Sequence, residues 1–152
     1  NASLTALSLD YNKIGDAGAA AIAKALEVNA SLTFLSLRSN NIGDEGATAI
    51  GNALAVNASL TRLVLTSNKI GDEGATAMGN ALAVNASLTT LVLGDRFGGN
   101  NIGDQGATAI AEALKVNASL TTLGLESNSI GDAAQGALRA SVEGRQGFSM
   151  YL

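Results

Sequence analysis

The sequence predicts an α/β solenoid: a horseshoe segment with a parallel sheet on its concave side and helices on its convex side. Three observations lead there. The pentapeptide Asn-Ala-Ser-Leu-Thr recurs at Asn1, Asn29, Asn57, Asn85 and Asn117, in steps of 28, 28, 28 and 32 residues. Each copy begins with apolar residues at period 2 and continues with apolar residues at helical spacing. A unit this short cannot bury its own apolar face, so the copies must stack on one another to make a core.

Each element of the unit has its own justification. The opening stretch, such as Leu35 and Leu37 flanking Ser36, alternates and reads as a short strand. An asparagine follows it at Asn12, Asn40, Asn68, Asn100 and Asn128. Its amide offers donors and an acceptor to the backbone groups that a turning chain leaves open, which makes it structural. Gly-Asp comes next, and Asp16, Asp44, Asp72, Asp104 and Asp132 each stand immediately before a helical stripe. A row of carboxylates also suits calcium, but this placement favours helix N-caps that satisfy free N–H groups and complement the dipole. The stripe itself is Gly18, Ile22, Leu26, then Gly46, Ile50, Leu54, then Gly74, Met78, Leu82, then Gly106, Ile110, Leu114. Ala19, Ala21, Ala25 and their counterparts are small enough to let neighbouring helices approach closely. Asn-Ala-Ser closes the unit, and its asparagine is read as a helix cap that tolerates the left-handed conformation. The triplet also fits the glycosylation acceptor pattern, which an extracellular protein would use.

The expected organisation is a single domain over 1–152, with units 1–28, 29–56, 57–84, 85–116 and 117–144 and a terminal strand at 145–152. Unit five departs from the others, with Ala134 at the glycine position and Val142 at the helix leucine, after which Phe148, Met150 and Leu152 alternate as a sixth strand. A strand that returns through a helix pairs in parallel, and helices are wider than the strand spacing, so the array curves with the sheet inside. The chain begins at Asn and is expected to be an excised piece of something longer. Weak self-association through apolar sheet edges at its two ends follows from that expectation.

Composition narrows the function. With 47% hydrophobic residues and 3% aromatic, the core must be Leu, Ile, Val and Ala. Cys and His are both absent. That removes disulfides, thiolate chemistry, the commonest general base and the commonest metal ligand, so no catalytic, metal or cofactor site is expected. A net charge of −4 lacks the basic footprint that nucleic acid needs. No apolar run reaches membrane-spanning length and no signal peptide is recognisable, so a cytoplasmic location is expected.

The leucines, the Asn, the Gly-Asp pair and the helix stripe together resemble the leucine-rich repeat family, specifically its ribonuclease-inhibitor-like subclass with a 28-residue strand-helix unit. Asn-x-Ile-Gly-Asp-x-Gly-Ala is similar to the repeats of NOD-like innate-immunity receptors, and Gly-Ala-Thr-Ala-Ile is similar to bacterial GALA-type repeats. The resemblance covers nearly the whole chain and implies a noncatalytic scaffold that binds a protein partner through its concave sheet. A GTPase-activating protein of the same repeat class, an extracellular glycosylated recognition domain and a consensus-engineered array are the alternatives.

Variation between copies locates the candidate site. Residues 45–59 and 73–87 differ only at Ile50 and Met78, whereas the strand positions between the leucines vary. Three columns result: Ala6, Phe34, Arg62, Thr90, Thr122; then Ser8, Ser36, Val64, Val92, Gly124; then Asp10, Arg38, Thr66, Gly94, Glu126. Period 2 points all three away from the core, onto the concave surface. Phe34 lies beside Arg38 and Arg62, an aromatic anchor among arginines. The extra residues of unit four fall in Gly94-Asp95-Arg96-Phe97-Gly98-Gly99-Asn100, which places Arg96 and Phe97 on a flexible tip at the rim. This segment lacks the Gly-Lys-Ser/Thr ending of a phosphate loop, so it is either a recognition loop or a tolerated surface insertion. Phe34, Arg38, Arg62, Arg96 and Phe97 are the candidate partner-binding residues. Glu45, Thr48, Glu73 and Thr76 are read as solvated convex positions.

Overall fold

The computed structural model describes residues 1–152. Six strands alternate with five helices: β1 (Ala6–Ser8), α1 (Gly15–Val28), β2 (Phe34–Ser36), α2 (Asp44–Leu54), β3 (Arg62–Val64), α3 (Asp72–Leu82), β4 (Thr90–Gly94), α4 (Asp104–Leu114), β5 (Thr122–Leu125), α5 (Asp132–Ser141) and β6 (Ser149–Tyr151). The strands pair in parallel and in chain order in one sheet, and each helix packs against the next. The result is a solenoid with the sheet on the concave side and the helices on the convex side.

Register follows the repeat. Leu7, Leu35, Leu63, Leu91, Leu123 and Met150 lie side by side on successive strands. The four central leucines of that row are fully buried, as are the rows Leu60, Leu88, Leu120 and Leu37, Leu65, Leu93 beside it. Ile50, Met78, Ile110 and Leu138 close the core from the helices. Burying one such side chain contributes about 1.5–3 kcal/mol, and every repeat adds several.

The helices approach at glycines. A Cβ on Gly46, Gly74 or Gly106 would stand 3.0, 2.9 or 2.7 Å from the Cβ of Ala19, Ala47 or Ala75 on the preceding helix. Of the three alanines expected to pack there, only Ala19 is buried; Ala21 and Ala25 of α1 are exposed. The counterparts of Ala25, namely Ala53, Ala81 and Ala113, are buried because a preceding helix covers that side, whereas Ala49, Ala77 and Ala109, the counterparts of Ala21, are half-buried.

The aspartates cap helices, but not their own. Each lies within the first turn of its helix, and the N-cap residues Gly43, Gly71 and Gly103 make no side-chain cap bond. Asp16 Oδ1 instead accepts from the N–H groups of Gly43 (2.7 Å) and Gly46 (2.9 Å), at the start of the next helix. Asp44 does the same for Gly71 and Gly74, and Asp72 for Gly103 and Gly106. The glycines leave room for the carboxylate, since a Cβ on Gly46 would stand 2.6 Å from Asp16 Oδ1. Where Ala134 replaces that glycine, Asp104 keeps only its bond to Gly131. The carboxylates of Asp16, Asp44, Asp72 and Asp104 therefore each join two repeats while satisfying the positive end of a helix, whereas Asp132 makes no such bond.

Two asparagine ladders complete the joint. Asn68 Oδ1 accepts from the N–H groups of Asn40 and Ile42, and its Nδ2 donates to the carbonyls of Leu37, Leu65 and Thr66. At the other end of the strands, Asn57 Nδ2 donates to the carbonyls of Leu26 and Asn29, and its Oδ1 accepts from Ser59 and Leu60. Asn85 and Asn117 repeat that arrangement toward Leu54 and Leu82. This second series was expected in the left-handed conformation. Asn29 is extended (φ −83°, ψ 130°), and no member of the series has positive φ. The side chains of Asn57, Asn85 and Asn117 answer a free carbonyl in the last turn of the helix one repeat back, so no left-handed backbone is needed. Arg145 stands one period after Asn117, and its longer side chain keeps the rung by donating to the carbonyls of Leu114 and Leu120. β6 pairs with β5 beyond it.

Candidate recognition surface

The pairing register sets the concave columns side by side. The first runs Ala6, Phe34, Arg62, Thr90, Thr122 and Ser149, and the second Ser8, Ser36, Val64, Val92, Gly124 and Tyr151. Alternation along each short strand turns these away from the leucine rows, so their surroundings are set by the face itself.

Five residues were candidates for contact, and the structure divides them into two groups. Arg62 lies over the Phe34 ring, its Cζ 5.6 Å from the centroid. Arg38 does not join that pair. Its Nη2 contacts both carboxylate oxygens of Asp95 (3.1 and 3.2 Å), and its Cζ stands 5.8 Å from the Phe97 ring. Arg96 covers the same ring at 4.7 Å. The reason for the regrouping is the Asp95 carboxylate, which outcompetes an aromatic face for a guanidinium within reach.

The inserted segment is not a flexible tip. Asp95 and Gly98 exchange backbone hydrogen bonds, and Asp95 Oδ1 also accepts from the N–H groups of Phe97 and Gly98, which closes the turn. Ser127 Oγ donates to the Asp95 carbonyl from one side, while the Arg38 ion pair holds the turn from the other. Gly94 and Gly99 lie flat on the chain after β5, where a Cβ on either would stand 1.9 Å from a carbonyl oxygen, of Glu126 and Ser127 respectively. Phe97 remains 72% exposed at the crest of the turn.

The second and third columns are not open throughout. Thr66 was expected on the open face but is 0% exposed, and its hydroxyl has no hydrogen-bond partner. Gly94 is buried at the foot of the turn, and Ser36 is buried with its Oγ donating to Asp10 Oδ1 (2.6 Å). Among the convex residues, Glu45 and Glu73 are exposed, whereas Thr48 and Thr76 are half-buried and the Thr76 hydroxyl is enclosed without a partner. The helix packing that encloses it makes Thr76 unsuitable as a solvated reference.

Behind the turn, the sheet carries a groove of about 400 Å³ lined by Arg62, Thr90, Val92, Gly94, Asp95, Thr122, Gly124, Glu126 and Tyr151. Asp95 and Tyr151 escaped sequence reasoning. The Asp-x-x-Gly spacing of a turn carried the first, and extending the alternation through Phe148, Met150 and Leu152 to the residues between them carried the second. No group of three or more His, Cys, Asp or Glu side chains is placed to hold a metal ion, and no helix is long and apolar enough to cross a membrane.

A family profile described as Leucine Rich repeat matches residues 1–23, 28–51, 56–79, 84–111 and 116–134. Among solved structures, the chain is similar to leiomodin-1 actin-binding site 2 (ABS2), with 27% identity and a TM-score of 0.75 over 93% of this chain and 78% of that one. It is also similar in fold to a tropomodulin C-terminal domain of Caenorhabditis elegans, with 16% identity and a TM-score of 0.70 over 94% and 84%. No curated protein sequence matches.

Proposed function

The chain belongs to the leucine-rich repeat family, and on that footing we propose that it is a noncatalytic scaffold that binds a protein partner across the concave sheet. The observation that carries this reading is the pair of aromatic and arginine groups on that side, Phe34 with Arg62 and Phe97 with Arg38 and Arg96. Neither ring takes part in the bonds that join the repeats, although Arg38 is paired with Asp95. Aromatic rings held by guanidinium groups lose little freedom on binding, and these residue types are enriched at interface hot spots. With a partner in hand, Phe34→Ala and Phe97→Ala should each weaken binding by more than about 1 kcal/mol, roughly fivefold in Kd, while Glu45→Ala and Glu73→Ala stay near neutral. The reverse ordering moves the site to the helical side.

The 28-residue strand-helix unit supports the ribonuclease-inhibitor-like subclass. A cytoplasmic setting is supported by the Asn-Ala-Ser asparagines, since the amide nitrogens of Asn57, Asn85 and Asn117 each donate to two carbonyls and are not free to carry sugar. The unpaired outer edges of β1 and β6 support weak self-association, which light scattering at rising concentration tests; a strict monomer contradicts it.

The similarity to leiomodin-1 actin-binding site 2 favours actin as the first partner to try. Saturable binding in a titration against actin that Phe34→Ala weakens supports it. No binding removes actin and leaves the concave-face reading to other partners.

A further inference from the structure

One edge of the solenoid is apolar and belongs to neither the core nor the concave face. Where each helix gives way to the next strand, Val28, Val56, Val84 and Val116 stand 86, 66, 66 and 69% exposed, four of the eight large hydrophobic side chains that the chain exposes. None of the four packs on the core. The alanines two residues on, Ala30, Ala58, Ala86 and Ala118, are exposed beside them. Packed helices lie about 10 Å apart, so the row is roughly 30 Å long. It ends at unit five, where Gly144 takes the valine position. A contiguous apolar strip of this kind marks an interaction surface.

Charge selects what covers it. Two helix positions flank the row: the residue just before each valine and the one a helical turn earlier. Units two and three are uncharged at both, with Asn52 and Ala55, then Asn80 and Ala83. Unit one carries Lys24 and Glu27, and unit four carries the reverse, Glu112 and Lys115. All eight side chains are exposed. A strip that is neutral in its middle and opposite in sign at its two ends complements itself when turned end for end. A two-fold axis between Val56 and Val84 sets unit one against unit four of a second copy and unit two against unit three. Glu27 then meets the partner's Lys115, and Lys24 meets the partner's Glu112. The parallel alternative sets every charge against its own kind and is disfavoured. Lys115 already contacts Glu112 of its own chain, but an exposed pair contributes little and an ammonium has donors to spare. We propose that this edge is the interface of a two-fold dimer of the chain, with the valine rows apposed antiparallel and a charge pair of each kind at both ends. Both concave faces stay open in such a dimer, which presents two recognition surfaces at once.

The strip lies at the low end of interface sizes, so a weak dimer is expected, with a Kd of about 10–500 μM. Sedimentation equilibrium of the full chain up to about 1 mM should show association that saturates at two copies. Val56→Glu, at an exposed site outside the core, should weaken it at least about tenfold, because a two-fold axis makes each substitution count twice. Glu27→Lys and Lys115→Glu should each weaken it about threefold or more, and the double variant should restore it, since the exchanged charges face each other again. Contact through the free edges of β1 and β6 is a different association and survives all of these changes, which tells the two apart. The chain has no cysteine, so oxidising a mixture of Val28→Cys and Val116→Cys chains reads the register directly. A disulfide between the two variants is expected, and Val28→Cys alone should stay uncrosslinked, because its two copies lie at opposite ends of the interface. A strict monomer, association that Val56→Glu leaves intact, a double charge variant no better than either single one, or crosslinking of Val28→Cys to itself overturns the dimer. None of these results bears on whether the concave face binds a partner, which Phe34→Ala and Phe97→Ala decide separately.

Discussion

Residues 45–59 and 73–87 differ only where Met78 replaces Ile50, whereas the sheet column through Phe34 holds Ala6, Arg62, Thr90, Thr122 and Ser149 as its other members. The contrast has a physical source. Each joint between repeats requires the same partners in both copies: an aspartate in one and two glycines in the next, an asparagine amide in one and the carbonyls of its neighbour. A change in any one copy breaks a bond to the adjacent one. Unit five records the result, because Ala134 leaves Asp104 with one bond where Asp44 has two. The concave columns carry no such obligation outside the Asp10 and Asp95 contacts, so their composition is free to answer to a partner.

The largest effect should come from the core that both sides share. Leu63→Ala should cost about 2–5 kcal/mol in denaturant titration, since transfer and cavity terms add at a fully buried site. A loss under about 0.5 kcal/mol would place Leu63 outside the core. Next comes Asn68→Ala, expected at about 2–3 kcal/mol because buried N–H and carbonyl groups lose their partners. The comparison sharpens with Asp44→Ala against Asp104→Ala. Asp44→Ala should cost about 1–2 kcal/mol and Asp104→Ala about half as much, in proportion to the cap bonds lost. Equal costs would mean that the second bond contributes nothing. Thr66→Val should be neutral or stabilise by up to about 1 kcal/mol, since it removes an enclosed hydroxyl without a partner. The smallest effect belongs to the open face, where Thr90→Val should stay within about 0.5 kcal/mol.

Much of this was legible before any coordinate. Period 2 and helical spacing recur with the copy and specify the strands, helices and leucine rows. The aspartates and asparagines were recognisable as groups that satisfy backbone atoms. Which backbone atoms was not legible: in an array of near-identical units a cap on its own helix and a cap on the next leave the same sequence pattern. Asn29 shows the same ambiguity, because an asparagine after a helix suits a left-handed backbone and a side-chain rung equally well. Arg38 and Asp95 are 57 residues apart, and no local pattern links them. Their ion pair ties the inserted turn to Arg38 and holds that side chain at Asp95, so the candidate surface is two clusters and a groove instead of one patch.

The division between a joined helical side and a free concave face can be measured in one experiment: protease resistance of every single substitution across the chain, read as folding stability. The account predicts that substitutions at Asp44, Gly74, Asn68, Asn85 and Leu63 lower resistance sharply, while most substitutions at Phe34, Arg62, Thr90 and Thr122 leave it unchanged. Loss of resistance across the Phe34 column equal to that at Asp44 and Asn68 would contradict it, because those side chains would then be holding the fold and would not be free to bind a partner.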